Sequence, residues 1–517
     1  MIRPVGITRR VIRAEAIAMV PSKPHMATGH TGLFLYLSLV STGGSHTKIG
    51  FTSAVALIVG SIIGSGVFMK PATMAAQLGS PVWLTLVWVL AGLFSLFGAL
   101  IYAELGAMMP RSGGMYVYFR RIFGDFTAFL YGWAAFAVIN TAAVASISFV
   151  CAYYLDFFIG LPEFSDETVR RFVWHLPALG DLYPLKDAGV KGLAAFLCLT
   201  LTWINARSLR AGDRLQVIST FVKIAVLLLL VLGIFGSGEG SVRNFYQVDH
   251  SLTGASLLGG IVAALTGAFM AFDGWINVTA MAGEIREPGR NLPRSLFTGV
   301  LVCTGIYILV NQAYLFALPV ERMAGSALVA SDAIQVALGH TAEALVAALI
   351  VICTMGAING NVMACARITY AMGRDRLFSS WAGADHPRFQ TPANALWLHG
   401  VWTCLFIFSG TFDMLADMFV FISWIAYGMG AVGILILRRR LPQADRPYRI
   451  WGHPFVTFLF IAFAGFYLVS TLVNDVANYL HGRQPVVNSV LGLLITALGI
   501  PLYIYFRRRN GRSTSKP

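Results

Sequence analysis

The sequence predicts an all-α membrane protein of twelve transmembrane helices, arranged as a 5+5 inverted repeat with broken helices 1 and 6, plus two extra helices. Three observations carry this prediction. Apolar runs of about twenty residues recur along the 517-residue chain, 57% of which is hydrophobic and only 12% charged, so a water-soluble globule is excluded. The positive charges fall on alternate sides of those runs. Two of the runs, five spans apart, are interrupted by glycine and polar residues.

Hydropathy places the spans near 51–75, 80–109, 125–155, 189–206, 214–236, 254–283, 293–318, 342–372, 393–411, 414–437, 454–473 and 486–506. With the N-terminus in the cytoplasm, 28 of the 38 lysines and arginines lie on the cytoplasmic side and six on the other. Such asymmetry is what the positive-inside rule requires, and it puts both termini in the cytoplasm. The net charge of +14 then reflects inside loops facing an anionic leaflet, and no nucleic-acid partner is needed to explain it. Residues 1–48 read as a disordered cytoplasmic extension, since their apolar piece GLFLYLSLV is too short to cross a bilayer. The first repeat covers 49–236 and the second 254–437. Residues 454–506 are the two extra spans, and 507–517 form a cytoplasmic tail.

Cys151, Cys198, Cys303, Cys353, Cys365 and Cys404 all lie within spans, where thiols behave as small apolar groups. Neither a disulfide framework nor a metal-ligand spacing is visible, and no metal or cofactor is expected. An enzyme would need a His/Asp/Glu cluster at membrane depth, whereas His399 is a lone histidine on an apolar helix.

The first interruption is GSIIGSGVF, Gly60 to Phe68. In lipid every backbone N–H and C=O needs a partner, so an unwound stretch persists only where it is buried in protein or lines a cavity. Freed N–H groups at Gly64, Ser65 and Gly66, at the start of the following half-helix, suit a carboxylate. The second interruption is GAFMAFDGWINVT, Gly267 to Thr279, and its carbonyls around Phe269 to Asp273 suit an ammonium. The matched pair describes an α-amino acid held between inverted repeats. Taken singly, either segment could equally be a close helix contact through small residues.

Two ionisable residues lie deep in spans. Lys223 stands about three turns from the cytoplasmic end of span 5, too far for its stem to reach water. It fits a fixed cation bracing the first break, with a proton carrier as the alternative. Asp273 lies in the second break, where its carboxylate fits a hydrogen bond to unwound backbone better than one to substrate.

GSIIGSGVF, YAELGAMMPRSGGMYVYFRRIFG (Tyr102 to Gly124), AFDGWINVTAMAGEIREPGRNLPRSL and GAINGNVMACARITYAMGRDRLF together resemble the amino acid-polyamine-organocation superfamily. Within it they look closest to the L-type amino acid transporter family, over residues 49 to 475. The resemblance implies an obligatory or preferential, sodium-independent exchanger of amino acids that works by rocking-bundle alternating access. No further basic or acidic group is placed to read a charged side chain, so neutral amino acids are the expected substrates. Proton-coupled symport through Lys223 is the alternative. Carried over, Ile62, Gly64, Ser65 and Gly66 would bind the carboxylate and part of the amine, and the carbonyls of Met270 and Asp273 would take the amine. Lys223 would stand at the site other transporters give to sodium, and Tyr307 would couple the amine to span 1. Phe421 and Trp424 would lie near the side-chain pocket. The family's outer gate is usually aromatic, and here that position is Met270 with Phe269 beside it. Gating by either residue stays open. Animal members carry a cysteine after span 3 that bonds a glycoprotein heavy chain. Residues 156–188 contain none, which implies a stand-alone, prokaryotic-type member in a bacterial cytoplasmic membrane, with the lipid bilayer and a small amino acid as its partners.

Overall fold

Helices account for 78% of the computed structural model, which has almost no sheet and describes residues 49–111, 113–177, 179–248 and 252–513. The expected N-terminal extension and the last four residues of the tail lie outside the described residues. Among the described residues ten helices are long and apolar enough to cross a membrane, or eleven if the bent pair Phe51–Ile62 and Gly66–Leu78 is one span. The helix at expected span 9, Ala393–Ser409, has 17 residues and so extends only about 25 Å, against a hydrocarbon core of roughly 30 Å. Length and apolarity alone therefore support ten or eleven crossings rather than the twelve expected. The protein is a multi-pass membrane protein.

The other expected spans are the helices Pro81–Met108 (span 2), Ala188–Arg207 (span 4), Leu209–Ser237 (span 5), Pro288–Ala317 (span 7), His340–Arg374 (span 8), Phe412–Arg440 (span 10) and Phe455–Leu480 (span 11). Span 12 is Asn488–Ala497 followed by Gly499–Ser513. Span 3 runs from Asp125 to Ile159 with a π turn at Ala135–Ile139. Trp402 of span 9 donates its indole N–H to the Ala137 carbonyl at 3.0 Å, which satisfies an acceptor that the widened turn displaces.

Both interruptions are real breaks. Span 1 stops at Ile62, and its second half leaves Gly66 at an angle of 46°. Span 6 runs as an α-helix from Gly254 to Phe272, passes through an extended Asp273 and a Gly274 at φ +110°, and resumes as a 3₁₀ helix over Trp275–Glu284. A 3₁₀ run that long is uncommon and marks a functional or strained segment. The start of span 1 is tied to the end of span 6 by a strand-like bridge, in which Ile49 N–H donates to Glu284 O (2.8 Å) and Arg286 N–H to Ile49 O (2.9 Å). The two broken spans therefore lie antiparallel.

On the face that carries Arg286 and Arg290, segment 441–454 folds back over spans 2 and 7. Its anchor is Glu104, with 0% of its surface exposed. Glu104 accepts from Arg438 Nε (3.0 Å) and Nη2 (2.5 Å), and from the Ile450 N–H at 2.8 Å. Arg446 Nε stands 3.6 Å away.

Candidate substrate site

The two breaks meet directly. A Cβ added to Gly66 would lie 2.6 Å from Ala271 Cα, and one added to Gly274 would lie 2.5 Å from the Ser61 carbonyl oxygen. Glycine at these positions is required by the contact between spans, and at Gly274 also by its positive φ. Gly64 differs, since the nearest atom to its added Cβ is 3.8 Å away. That is ordinary contact, which leaves room for another group to approach.

Tyr307 of span 7 joins the breaks. Its hydroxyl lies 2.9 Å from the Ile62 carbonyl and 2.8 Å from the Ala271 carbonyl, within hydrogen-bond reach of an acceptor from each broken span. The ring is held by Trp88 of span 2 and Phe272 of span 6, at centroid distances of 5.4 and 5.1 Å. Helix ends leave carbonyls without intrahelical donors, and the single Tyr307 hydroxyl proton is shared between one carbonyl from each end.

Lys223 is 3% exposed, and its ammonium donates to the Gly60 carbonyl at 3.2 Å. Gly60 is in the last turn of the first half of span 1, where the helix dipole presents its negative end. The brace that the sequence suggests is thus a contact between ammonium and helix terminus. Ser65 begins the second half, is buried, and makes no capping bond with its side chain. The first-turn amides therefore gain no acceptor from that side chain, although the Phe68 N–H donates to the Ser65 carbonyl at 3.1 Å.

Around the second break, the Met270 carbonyl accepts the Asp273 N–H at 3.3 Å, so one of its lone pairs is used within the break. The Asp273 carboxylate accepts the Tyr427 hydroxyl at 2.6 Å, a bond to span 10. Phe269 packs on Trp424 with centroids 4.1 Å apart and on Phe463 and Tyr467 of span 11. Phe421, buried one turn before Trp424, does not join that ring cluster. The cavity beside Phe269, Asp273, Ser423, Trp424 and Tyr427 measures about 10 Å³, room for about one water molecule. In this conformation the aromatic cluster is packed shut.

The structure brings Ile62, Gly66, Lys223, Tyr307 and the Ala271–Gly274 backbone together around the two breaks. It sets Phe269 and Trp424 in a cluster with span 11, and Met270, also buried, between the two groups in sequence. Three participants escape the sequence reasoning. Tyr427 follows Trp424 by three residues, on the same helix face. Gly274 lies inside the second break, and its positive φ leaves no mark beyond the glycine itself. Lys70, 2% exposed, pairs with Asp413 of span 10 at 2.6 Å and lies 4.7 Å over the Phe412 ring. Its signal was a lysine within an apolar helix, which demands a partner.

Paired, interlocked broken helices in a bundle of membrane-length helices define a transporter of the amino acid permease class, and a family model described as amino acid permease matches residues 49–498. The chain belongs to that family, in the L-type amino acid transporter branch of the amino acid-polyamine-organocation superfamily. It is 29% identical to the serine/threonine exchanger SteT of Bacillus subtilis, over 90% of this chain and 98% of that one. It is also 28% identical to the mouse b(0,+)-type amino acid transporter 1, over 91% and 90% of the two chains. To the human large neutral amino acids transporter small subunit 2 it is 30% identical, over 88% and 79%. Its function is amino acid transport rather than catalysis.

Replacing Tyr307 by phenylalanine removes the one hydroxyl proton that the Ile62 and Ala271 carbonyls share, at an expected cost of about 2 kcal/mol. Expressed in transport, that is a fall of roughly 30-fold in uptake efficiency. Unchanged uptake by Tyr307→Phe in proteoliposomes would show that the bridge is dispensable.

Proposed function

We propose that the protein exchanges neutral L-amino acids across a bacterial cytoplasmic membrane, independently of sodium, by alternating access between two inverted five-helix repeats. The substrate carboxylate meets the amides at Gly64, Ser65 and Gly66, and its ammonium meets the carbonyl ends at Ile62, Met270 and Asp273. Phe269, Met270, Phe421 and Trp424 bound the side-chain pocket and gate. The observation that carries this reading is the Tyr307 hydroxyl within reach of both breaks, because it makes the two ligand-facing ends one site.

The repeats span 49–236 and 254–437 in a twelve-span molecule with both termini in the cytoplasm, the arginine-rich side. Support comes from the packing: spans 1, 2, 3 and 4 lie against spans 6, 7, 8 and 9, the pairing that a pseudo-twofold axis in the membrane plane produces. Ala393–Ser409 is the ninth span, seated on spans 3, 4 and 8. Sodium independence is supported by the Lys223 ammonium at the Gly60 carbonyl. The protein acts without a disulfide-linked heavy chain, since residues 156–188 contain no cysteine.

Proteoliposomes preloaded with unlabelled amino acid test the proposal. Labelled uptake is expected to require internal substrate and to ignore sodium and an imposed pH gradient. Uptake into empty vesicles that follows the pH gradient and is lost in Lys223→Ala would replace exchange by proton symport.

A further inference from the structure

A cavity of about 890 Å³ opens on the arginine-rich side of the molecule, lined by none of the residues assigned to the substrate. Its walls are the start of span 1 at Phe51, the last turns of span 2 at Leu100 and Ala107, the first turns of span 7, and segment 441–454 at Tyr448 and Trp451. The volume is within the range of about 300–1,000 Å³ typical of small-ligand sites.

The chemistry of the walls is graded along span 7. Arg290 and Arg294 are one turn apart on one helix face, and Phe297 and Thr298 continue that face deeper into the bilayer. From Arg290 to Phe297 the helix rises about 10 Å, taking the lining from cationic to apolar. Phe51, Leu100 and Ala107 complete the apolar end. Glu287 is the one acidic lining residue, and it pairs only loosely with Arg290, at 3.9 Å with both side chains largely exposed. Two guanidiniums against one carboxylate leave the polar end net positive. Tyr448 and Trp451 stand beside that end, with Trp451 78% exposed, the residue types that anchor proteins at the headgroup level.

We propose that this cavity is a binding site for an anionic phospholipid of the inner leaflet, with its phosphate on Arg290 and Arg294 and an acyl chain along Phe297, Leu100 and Phe51. A soluble anion would leave the apolar half unused, and a zwitterionic lipid would leave a guanidinium without compensation. The charge and the grading together select a lipid that is both acidic and amphiphilic. The site also touches moving parts. Phe51 begins the first half of span 1, which Ile49 ties to the end of span 6, so a lipid here bears on the broken pair. This inference rests on amino acid transport and is independent of whether transport is by exchange.

The purified full-length chain is compared by native mass spectrometry with phosphatidylglycerol, phosphatidylcholine and glycerol 3-phosphate as probes. A basic residue at an anionic surface contributes roughly fivefold in binding, so with Glu287 offsetting one of the two guanidiniums phosphatidylglycerol is expected to be preferred over phosphatidylcholine by about fivefold. The double variant Arg290→Ala/Arg294→Ala is expected to lose that preference. Arg290→Lys/Arg294→Lys should keep most of it, as should Arg322→Ala/Arg483→Ala, which removes the same charge elsewhere. In proteoliposomes, adding phosphatidylglycerol to phosphatidylcholine should raise uptake by the wild type and not by the double alanine variant. Equal binding of the two lipids by the wild type would overturn the proposal even if the variants fail to fold. So would a preference that survives in the double alanine variant, or displacement by glycerol 3-phosphate at the lipid's own concentration.

Discussion

Gly66→Ala and Gly274→Ala are each expected to abolish amino acid uptake while the protein still inserts and purifies. A methyl at Gly66 would fall on the Ala271 backbone, and one at Gly274 on the Ser61 carbonyl. Backbone cannot yield as the tip of a flexible side chain can. Overpacking of this kind costs about 1–3 kcal/mol, and at Gly274 the φ of +110° adds strain of order 1 kcal/mol or more. That energy prises apart the two half-helices that meet at the breaks, so on the proposed site the effect should appear in transport before stability. The measurement is initial uptake in proteoliposomes, normalised to protein monodisperse on size exclusion. Gly64→Ala serves as the comparison for folding alone, because its Cβ meets nothing closer than 3.8 Å and the bundle should tolerate it in yield and monodispersity. Wild-type uptake by Gly66→Ala would mean that the breaks do not need to touch.

Glu104→Ala is expected to have the largest effect on folding. It removes the one carboxylate that pairs with Arg438 and Arg446 and frees the Ile450 amide. Breaking a buried ion pair from one side costs about 3–5 kcal/mol, because a charge is left uncompensated. A marked fall in the thermal midpoint and in detergent yield is the expected result, read by tryptophan fluorescence and size exclusion. Glu104→Gln should be milder, since the amide oxygen still accepts from Ile450. A midpoint equal to wild type for Glu104→Ala would show that segment 441–454 holds without this anchor. The same segment forms one wall of the lipid cavity, so loss of the anchor should also weaken the preference for phosphatidylglycerol.

Much of this was legible before any coordinates. Apolar runs mark spans because their length and composition have to match the bilayer, whatever the partners. The two breaks were legible because glycine and polar residues at membrane depth are costly unless something uses the unwound backbone. The Lys223 brace followed from the same economy, since a charge in lipid needs a partner even when that partner is unnamed. Lys70 obeyed that rule too and stands paired with Asp413, a contact between residues 343 positions apart that no local pattern announces.

What the sequence by itself determined, then, is the class: a polytopic helical transporter with paired broken spans, because composition, period and glycine placement are local properties of the chain. Only the tertiary structure decided how those pieces meet. Contacts between distant residues depend on helix rotation and crossing, to which hydropathy is blind. The fold thus chose Tyr307 as the bridge between Ile62 and Ala271, and set Asp273 against Tyr427 as well as against the unwound backbone at Gly274. It also packed Phe269 against Trp424, and it separated Gly66, pressed against a neighbouring backbone, from Gly64, which has space beside it. Two glycines two residues apart in one motif thereby acquire different physical reasons.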